Sequence, residues 1–205
     1  MATVIVRYLD DFIVGFQYRD DAERFLNALR ERLGQFSLML HPDKTRLLEF
    51  GRYAAQNRQE RGQGKPETFQ FLGFVHSCGR TRKGEFLMHR HTAGERLRAK
   101  LQEVKAELRH RRHAPVPEVG RYLAAVVRGH CQYFGIPGNR SAIARFRDEV
   151  SRLWHHALSR RSQKGQVRWE RMQRLIQRFM PPACIVHPTS WVMFAVMTQG
   201  KSPVW

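Results

Sequence analysis

Val4-Ile5-Val6-Arg7-Tyr8-Leu9-Asp10-Asp11-Phe12-Ile13-Val14-Gly15-Phe16 sets two adjacent acids between two apolar, β-branched runs. The pattern predicts a hairpin: strand, tight acidic turn, strand. Such a hairpin carries its carboxylates at the tip while its flanks pair in a sheet. Neighbouring carboxylates repel, so both stay ionised most readily beside a cation. Their hard oxygens suit Mg²⁺, which keeps part of its water shell and shares the rest with phosphates. Two such ions can clamp the attacking and leaving oxygens of a phosphoryl transfer. Asp is also an ordinary turn residue, so the same residues read as a plain hairpin turn with no metal.

Composition bounds the partner. Lys and Arg number 36 against 18 Asp and Glu, a net charge of +18 on 205 residues, while 42% hydrophobic residues can supply a core. A folded chain with that excess of positive charge binds polyanions, nucleic acid foremost and a membrane surface second. No apolar run reaches the roughly 18 residues of a spanning helix, and the N-terminus has no signal-peptide pattern. A cytoplasmic protein is the expectation. Cys78, Cys131 and Cys184 are odd in number and far apart, so neither a disulfide framework nor a zinc ribbon is indicated. His110-x-x-His113 and His155-His156 lack the partners of a metal-binding spacing.

Past the hairpin the chain has mixed character to about residue 91. Ala22, Phe25, Leu26, Leu29 and Leu33 share one helical face, Asp20 or Asp21 can cap the start, and Gly34 marks the end. Leu38 to Phe50 reads as two short strands around a Pro42-Asp43 turn, and residues 51–67 as an exposed polar loop. Phe69 to His76 reads as a strand, and a turn through Gly79 to Gly84 leads to another at Glu85 to His89.

From about Thr92 the period is helical. Leu97, Leu101, Val104 and Leu108 mark a helix over 96–113, and Pro115 and Pro117 precede a second over 118–134 with Val119, Tyr122, Leu123, Val126 and Val127 inward. After Pro137-Gly138-Asn139 a third spans 141–160, on Ile143, Phe146, Val150, Leu153, Trp154 and Ala157. A fourth runs 169–179 and stops at Pro181-Pro182. Aromatic residues that follow the apolar period belong to the core. The basic residues Arg90, Arg96, Arg98, Lys100, Lys105, Arg109, Arg111, Arg112 and the cluster Arg160-Arg161-Ser162-Gln163-Lys164 exceed what solubility needs.

These motifs, in this order, resemble the C-terminal half of a bacterial group II intron reverse transcriptase/maturase. The catalytic hairpin of that family commonly reads Tyr-Ala-Asp-Asp. Here it is Tyr8-Leu9-Asp10-Asp11, a departure at the variable second position that keeps both acids. Leu38-Met39-Leu40-His41-Pro42-Asp43-Lys44-Thr45 is similar to the next palm motif, which ends in Lys-Thr. Phe69-Gln70-Phe71-Leu72-Gly73-Phe74 resembles the primer grip. Residues 92–180 resemble the thumb, or maturase domain, and Ile185-Val186-His187-Pro188 resembles a run common after it.

The resemblance implies an α+β chain: a partial reverse-transcriptase palm (hairpin, helix, short antiparallel strands) over 1–91, an all-α thumb of three to four helices over 92–180, and a tail over 181–205. It implies Asp10 and Asp11 as catalytic ligands of Mg²⁺ in a two-metal site, and Tyr8, Lys44, Phe71, Leu72 and Gly73 at the nucleotide and primer end. It implies Arg96, Lys100, Arg109, Arg111, Arg112, Arg160, Arg161 and Lys164 on RNA. The partners expected are structured intron RNA and an RNA/DNA primer-template, with splicing assistance and RNA-directed DNA synthesis as the activities. The phosphate backbone of an A-form duplex is read by shape and charge, as a basic helical face would read it.

One element of the family pattern is unmatched. Its polymerases need a third carboxylate on a palm strand upstream of the hairpin, and no residue before Asp10 is acidic. The expectation is that the chain does not polymerise alone, and that the fingers and the missing ligand come either from another polypeptide or from a preceding segment of the same protein. The alternative is a non-enzymatic RNA-binding splicing factor or a decayed remnant. Strands at 4–16 are expected to expose their edges.

Overall fold

The computed structural model describes residues 4–161 and 166–187. The fold is mixed α/β, with a two-stranded sheet, a three-stranded sheet and six helices among the described residues. It forms two compact units: Met1–Phe71 with Ser77–Met88, and Leu72–His76 with His89–Trp205.

In the first unit β1 (Val4–Tyr8) pairs antiparallel with β2 (Asp11–Gly15), from Val4 opposite Gly15 to Tyr8 opposite Asp11. Leu9 and Asp10 alone make the turn. Every residue of β1 is exposed, and the sheet has no third strand among the described residues. The helix α1 (Arg19–Gly34) follows, tied to the hairpin's end by the rings of Phe16 and Phe25, 5.2 Å apart. Its apolar face lies inward as its spacing predicts, although only Ala22 of that face is fully buried. Its start differs from expectation. Tyr18 is the N-cap residue, while Asp20 and Asp21 sit in the first turn, where their charge favours the positive end of the helix dipole. Asp21 is buried and bound by Arg24.

Two other expectations need correction. Residues 38–41 and 45–50 form no strand, because no neighbouring strand supplies the ladder that extended backbone needs. The His41 carbonyl instead accepts from Lys44 N at 3.3 Å and Thr45 N at 2.9 Å, closing a turn. Within 51–67 a helix forms, α2 (Ala54–Glu60). Ala54 is buried beneath it, and Glu49 binds both Asn57, at 3.0 Å, and Arg61. Asn57's amide and then Arg61 hold the Glu49 carboxyl below its ordinary range.

The strand expected over 69–76 is two strands. β3 (Phe69–Phe71) and β4 (Phe74–Arg80) are joined by Leu72 and Gly73, both left-handed at φ 49° and 77°, the pattern of a two-residue type I′ turn. With β5 (Phe86–Thr92) they form a sheet of order β3-β4-β5.

The second unit's helices follow the apolar period closely: α3 (Gly94–His110), α4 (Val116–Phe134), α5 (Arg140–Ser159) and α6 (Trp169–Phe179). Pro117 lies in the first turn of α4, where a missing N–H costs nothing. Val104, Leu123, Val127, Ile143, Phe146, Val150, Trp154 and Met172 are the fully enclosed core, and Leu101, Tyr122, Val126, Leu153 and Ala157 pack around it. A Cβ at Gly120 would stand 2.6 Å from the Phe179 ring, so glycine there is what lets α6 approach α4. Asn139 is wholly buried. Its Nδ2 donates to Thr92 Oγ1 at 2.8 Å and to the Phe134 carbonyl at 2.9 Å, while its Oδ1 accepts from Thr92 N at 3.0 Å. One side chain thereby fastens the end of β5 to the α4–α5 corner.

The segment after α6 docks on the bundle. The Gly135 carbonyl accepts from Val186 N at 2.8 Å and His187 N at 2.9 Å, and Arg147 Nε donates to the Pro181 carbonyl at 2.9 Å. Ile185 and Val186 of the expected run are thus anchored with His187, while Pro188 lies outside the described residues. No helix among the described residues is long and apolar enough to cross a membrane.

Candidate functional site

The two-residue turn decides what the hairpin tip can do. Leu9 has φ 56° and Asp10 is not left-handed, the pattern of a II′ turn, which favours glycine at the first position. A branched side chain there is strained by about 1–3 kcal/mol, and such strain gathers at functional positions. Arg7 Nε donates to the Leu9 carbonyl at 2.8 Å and steadies the turn. The turn lifts Asp10 to the apex and leaves Asp11 as the first residue of β2, opposite Tyr8.

All four residues of the tip are exposed, Tyr8 at 56% and Leu9 at 72%. Among the described residues neither Asp10 nor Asp11 has an ion pair or a side-chain hydrogen bond. That leaves up to four carboxylate oxygens uncommitted within two consecutive residues. The donor set fits a hard divalent ion that fills its remaining positions with water and phosphate oxygen. No group of three or more His, Cys, Asp or Glu residues suited to a metal occurs among the described residues, so the hairpin offers two ligands.

Lys44 is exposed in the His41–Thr45 turn and makes no ion pair with either carboxylate. Phe71 ends β3, half-buried, in the first unit. Leu72 and Gly73 belong to the helical unit, and residues that the sequence reading did not single out position them. The Tyr133 hydroxyl donates to the Leu72 carbonyl at 3.0 Å, and Ala93 N donates to the Gly73 carbonyl at 2.9 Å. The ring of Phe134 lies 3.5 Å from where a Gly73 Cβ would stand, and the Phe74 ring packs against both Tyr133 and Phe134. That distance is an ordinary contact, so it is the left-handed φ of 77° that favours glycine there. The aromatic pair at the end of α4 was the available signal, hidden because Tyr133 falls off the helix's apolar face.

The basic residues of α3 divide. At about 100° per residue, Arg96 and Lys100 flank one side of the apolar stripe, and Arg98, Lys105 and Arg109 the other. Lys100 pairs with Glu103 at 2.7 Å. Arg111 is half-buried, bound by Glu107, 3.4 Å from Glu118 and stacked 4.7 Å over Tyr122. Hydrogen bonding to Glu107 raises its pKa. Arg112 and Arg160 are exposed; Arg161 is half-buried, its Nε enclosed without a partner among the described residues. Lys164 lies outside the described residues. The seven described basic residues of the expected RNA face therefore differ in availability, with Arg96, Arg109, Arg112 and Arg160 both exposed and without an ion pair or hydrogen bond among the described residues.

One buried titratable group stands apart from these. His130 is enclosed between the rings of Phe146, at 3.8 Å, and Phe134, at 4.6 Å. Burial, then the charge of Lys100, pushes its pKa down to about 4, so it is a neutral core residue at pH 7.

Comparison with known proteins bears on the first part of the chain. Residues 2–76 match the family model for reverse transcriptase (RNA-dependent DNA polymerase). The match takes in the hairpin, α1, α2 and the Leu72-Gly73 turn, and it supports a reverse-transcriptase domain in this segment. No curated protein matches the chain.

Proposed function

We propose that this chain provides the catalytic hairpin and the RNA-binding thumb of a group II intron-type reverse transcriptase/maturase. The observation that carries the reading is the tip of the hairpin. Two adjacent, exposed carboxylates free of protein cations sit on a strained two-residue turn, inside the segment similar to reverse transcriptases. Asp10 and Asp11 would hold Mg²⁺, which supplies charge stabilisation at the transferring phosphoryl group. A polymerase site of this kind takes a third carboxylate, contributed in this reading by polypeptide beyond the described residues. Lys44 offers a point charge to a phosphate. The Leu72-Gly73 turn brings backbone close to a primer end, because Gly73 has no side chain to hold it away.

The thumb's partner is structured RNA, in this family the intron itself, and the free arginines Arg96, Arg109, Arg112 and Arg160 support that part of the reading. Their contacts go to phosphates, so affinity should fall steeply as salt rises. RNA binding by the helical unit needs no carboxylate pair, which keeps a second, non-enzymatic reading as a splicing factor in view.

The test is primer extension on an RNA template with Mg²⁺, run beside RNA binding. Wild-type chain supplemented with a reverse-transcriptase fingers–palm fragment should extend the primer, and Asp10→Asn should abolish extension while leaving RNA affinity unchanged. RNA binding with no Asp10-dependent extension under any supplementation would select the splicing-factor reading. Extension by the chain alone would show that no further ligand is required.

A further inference from the structure

A second basic site lies in the first unit, away from the hairpin tip in sequence. The β4–β5 turn and the segment leading into α2 enclose an open cleft of about 690 Å³, within the range of ligand sites. Arg52, Tyr53 and Gln56 stand on one wall, and Arg80, Glu85 and Phe86 on the other.

The arginines here differ from most others in the unit. Arg19 is paired with Glu23, Arg24 with Asp21, Arg46 with Glu67 and Arg61 with Glu49; Arg58 donates to the Gly64 carbonyl and Arg32 to Gln35. Arg52 and Arg80 have no ion pair or hydrogen bond among the described residues. Arg30 and Arg82 are likewise without a partner among the described residues, but only Arg52 and Arg80 of these line this cleft. Tyr53, which lines the same cleft, is 63% exposed.

The wall carrying Arg80 is held in place. Thr81 N donates to the Glu85 carbonyl at 2.8 Å, Gly84 N to the Thr81 carbonyl at 2.9 Å, and Thr81 Oγ1 accepts from Lys83 N and Glu85 N, each at 3.2 Å. Gly84 closes the turn at φ 84°. Arg82 and Lys83 ride exposed on the same turn and extend the positive field outward.

We propose that this cleft seats one nucleotide of a single-stranded nucleic acid, its base stacked on Tyr53 and its phosphate held by Arg52 and Arg80. Planar guanidinium groups match phosphate oxygens in pairs, and every base offers a face to an aromatic ring. Gln56 can donate and accept at a base edge. Glu85 opposes the phosphate and sets a ceiling on affinity. The proposal rests on the reading of this chain as a nucleic-acid binder and adds a contact that the thumb does not provide. A free nucleotide carries the same ring and phosphate, so the test separates the two.

The experiment is fluorescence anisotropy of a labelled short oligouridylate with the full chain, across rising KCl. The Arg52→Gln/Arg80→Gln variant should weaken binding about ten-fold at low salt and lower the salt slope by about 0.7, one single-strand phosphate's worth. Tyr53→Ala should weaken it about ten-fold with the slope unchanged, and Glu85→Gln should tighten it. All four residues are exposed, and unchanged circular dichroism will confirm folding. Wild-type affinity in the arginine and Tyr53 variants, with Arg96→Gln/Arg109→Gln weakened, would overturn the cleft while sparing the thumb reading. Absence of binding by the wild type would overturn both. Displacement of the strand by millimolar uridine monophosphate in a Tyr53-dependent way would reassign the cleft to a free nucleotide and overturn the strand proposal.

Discussion

Replacing Asn139 should cost the helical unit more than any other single polar substitution in it. The side chain is fully buried and makes three hydrogen bonds, to Thr92 N, Thr92 Oγ1 and the Phe134 carbonyl. Asn139→Ala removes all three and leaves the part-buried Thr92 amide without a partner, while the Phe134 carbonyl keeps the Ile136 amide at 2.8 Å. The stranded amide costs about 1–3 kcal/mol and the other lost bonds about 1 kcal/mol more, giving a loss of about 3 kcal/mol. Asn139 is also the N-cap residue of α5, but its side chain makes no capping bond, so no capping energy is added to that figure. Asn139→Asp keeps an acceptor for Thr92 N and sets a carboxylate oxygen against the Phe134 carbonyl, so it should rescue little. Urea unfolding followed by tryptophan fluorescence reads the result, since Trp154 lies in the same core. At a typical slope near 2 kcal/mol per molar, the midpoint should fall by about 1.5 M. A loss under about 1 kcal/mol for Asn139→Ala would refute the reasoning.

Three further outcomes follow from the geometry. Gly120→Ala should destabilise by about 1–3 kcal/mol, because the new methyl meets the Phe179 ring and α6 must shift; thermal melting checks it. His130 has its folded pKa depressed to about 4 against an ordinary 6.5. Below pH 6.5 the unfolded chain takes up the proton and the folded chain does not, so this residue's contribution to stability falls between pH 6.5 and 4 by at most about 3 kcal/mol and then levels. His130→Phe should flatten that window in urea midpoints measured across pH, and an unchanged profile would show that another group controls it. Tyr133→Phe should loosen the Leu72-Gly73 turn by about 1 kcal/mol, seen as faster exchange of the Ala93 amide that bonds Gly73.

The helical unit was legible because its signal is periodic and redundant. Leu97, Val104, Val119, Leu123, Ile143, Phe146, Val150 and Trp154 recur at helical spacing and all prove buried. The hairpin was legible from β-branched flanks around an adjacent acid pair, although only Asp10 of the pair lies in the turn and Asp11 opens β2. What escaped depends on partners far along the chain. α2 has no apolar stripe; Glu49 reaching Asn57 and Arg61 marks it, and no window of residues 54–60 contains Glu49. Leu72-Gly73 hid as a turn because only Gly announces a left-handed backbone, and Leu72 shares it under the hold of Tyr133. At the site, charge counting found the arginines but could not tell which were spoken for. Arg111 is held by Glu107 and Tyr122, whereas Arg112 is free.

The central claim is that Asp10 and Asp11 hold a divalent ion beside the primer-template. Fe²⁺ substituted for Mg²⁺ generates hydroxyl radicals that cut backbone next to the bound ion, and fragment mapping on the full chain with an RNA template and DNA primer reads the position. Cutting within residues 8–12, suppressed by excess Mg²⁺ and lost in Asp10→Asn, is the predicted result. No cutting at the hairpin, or cutting that survives Asp10→Asn, would contradict the account.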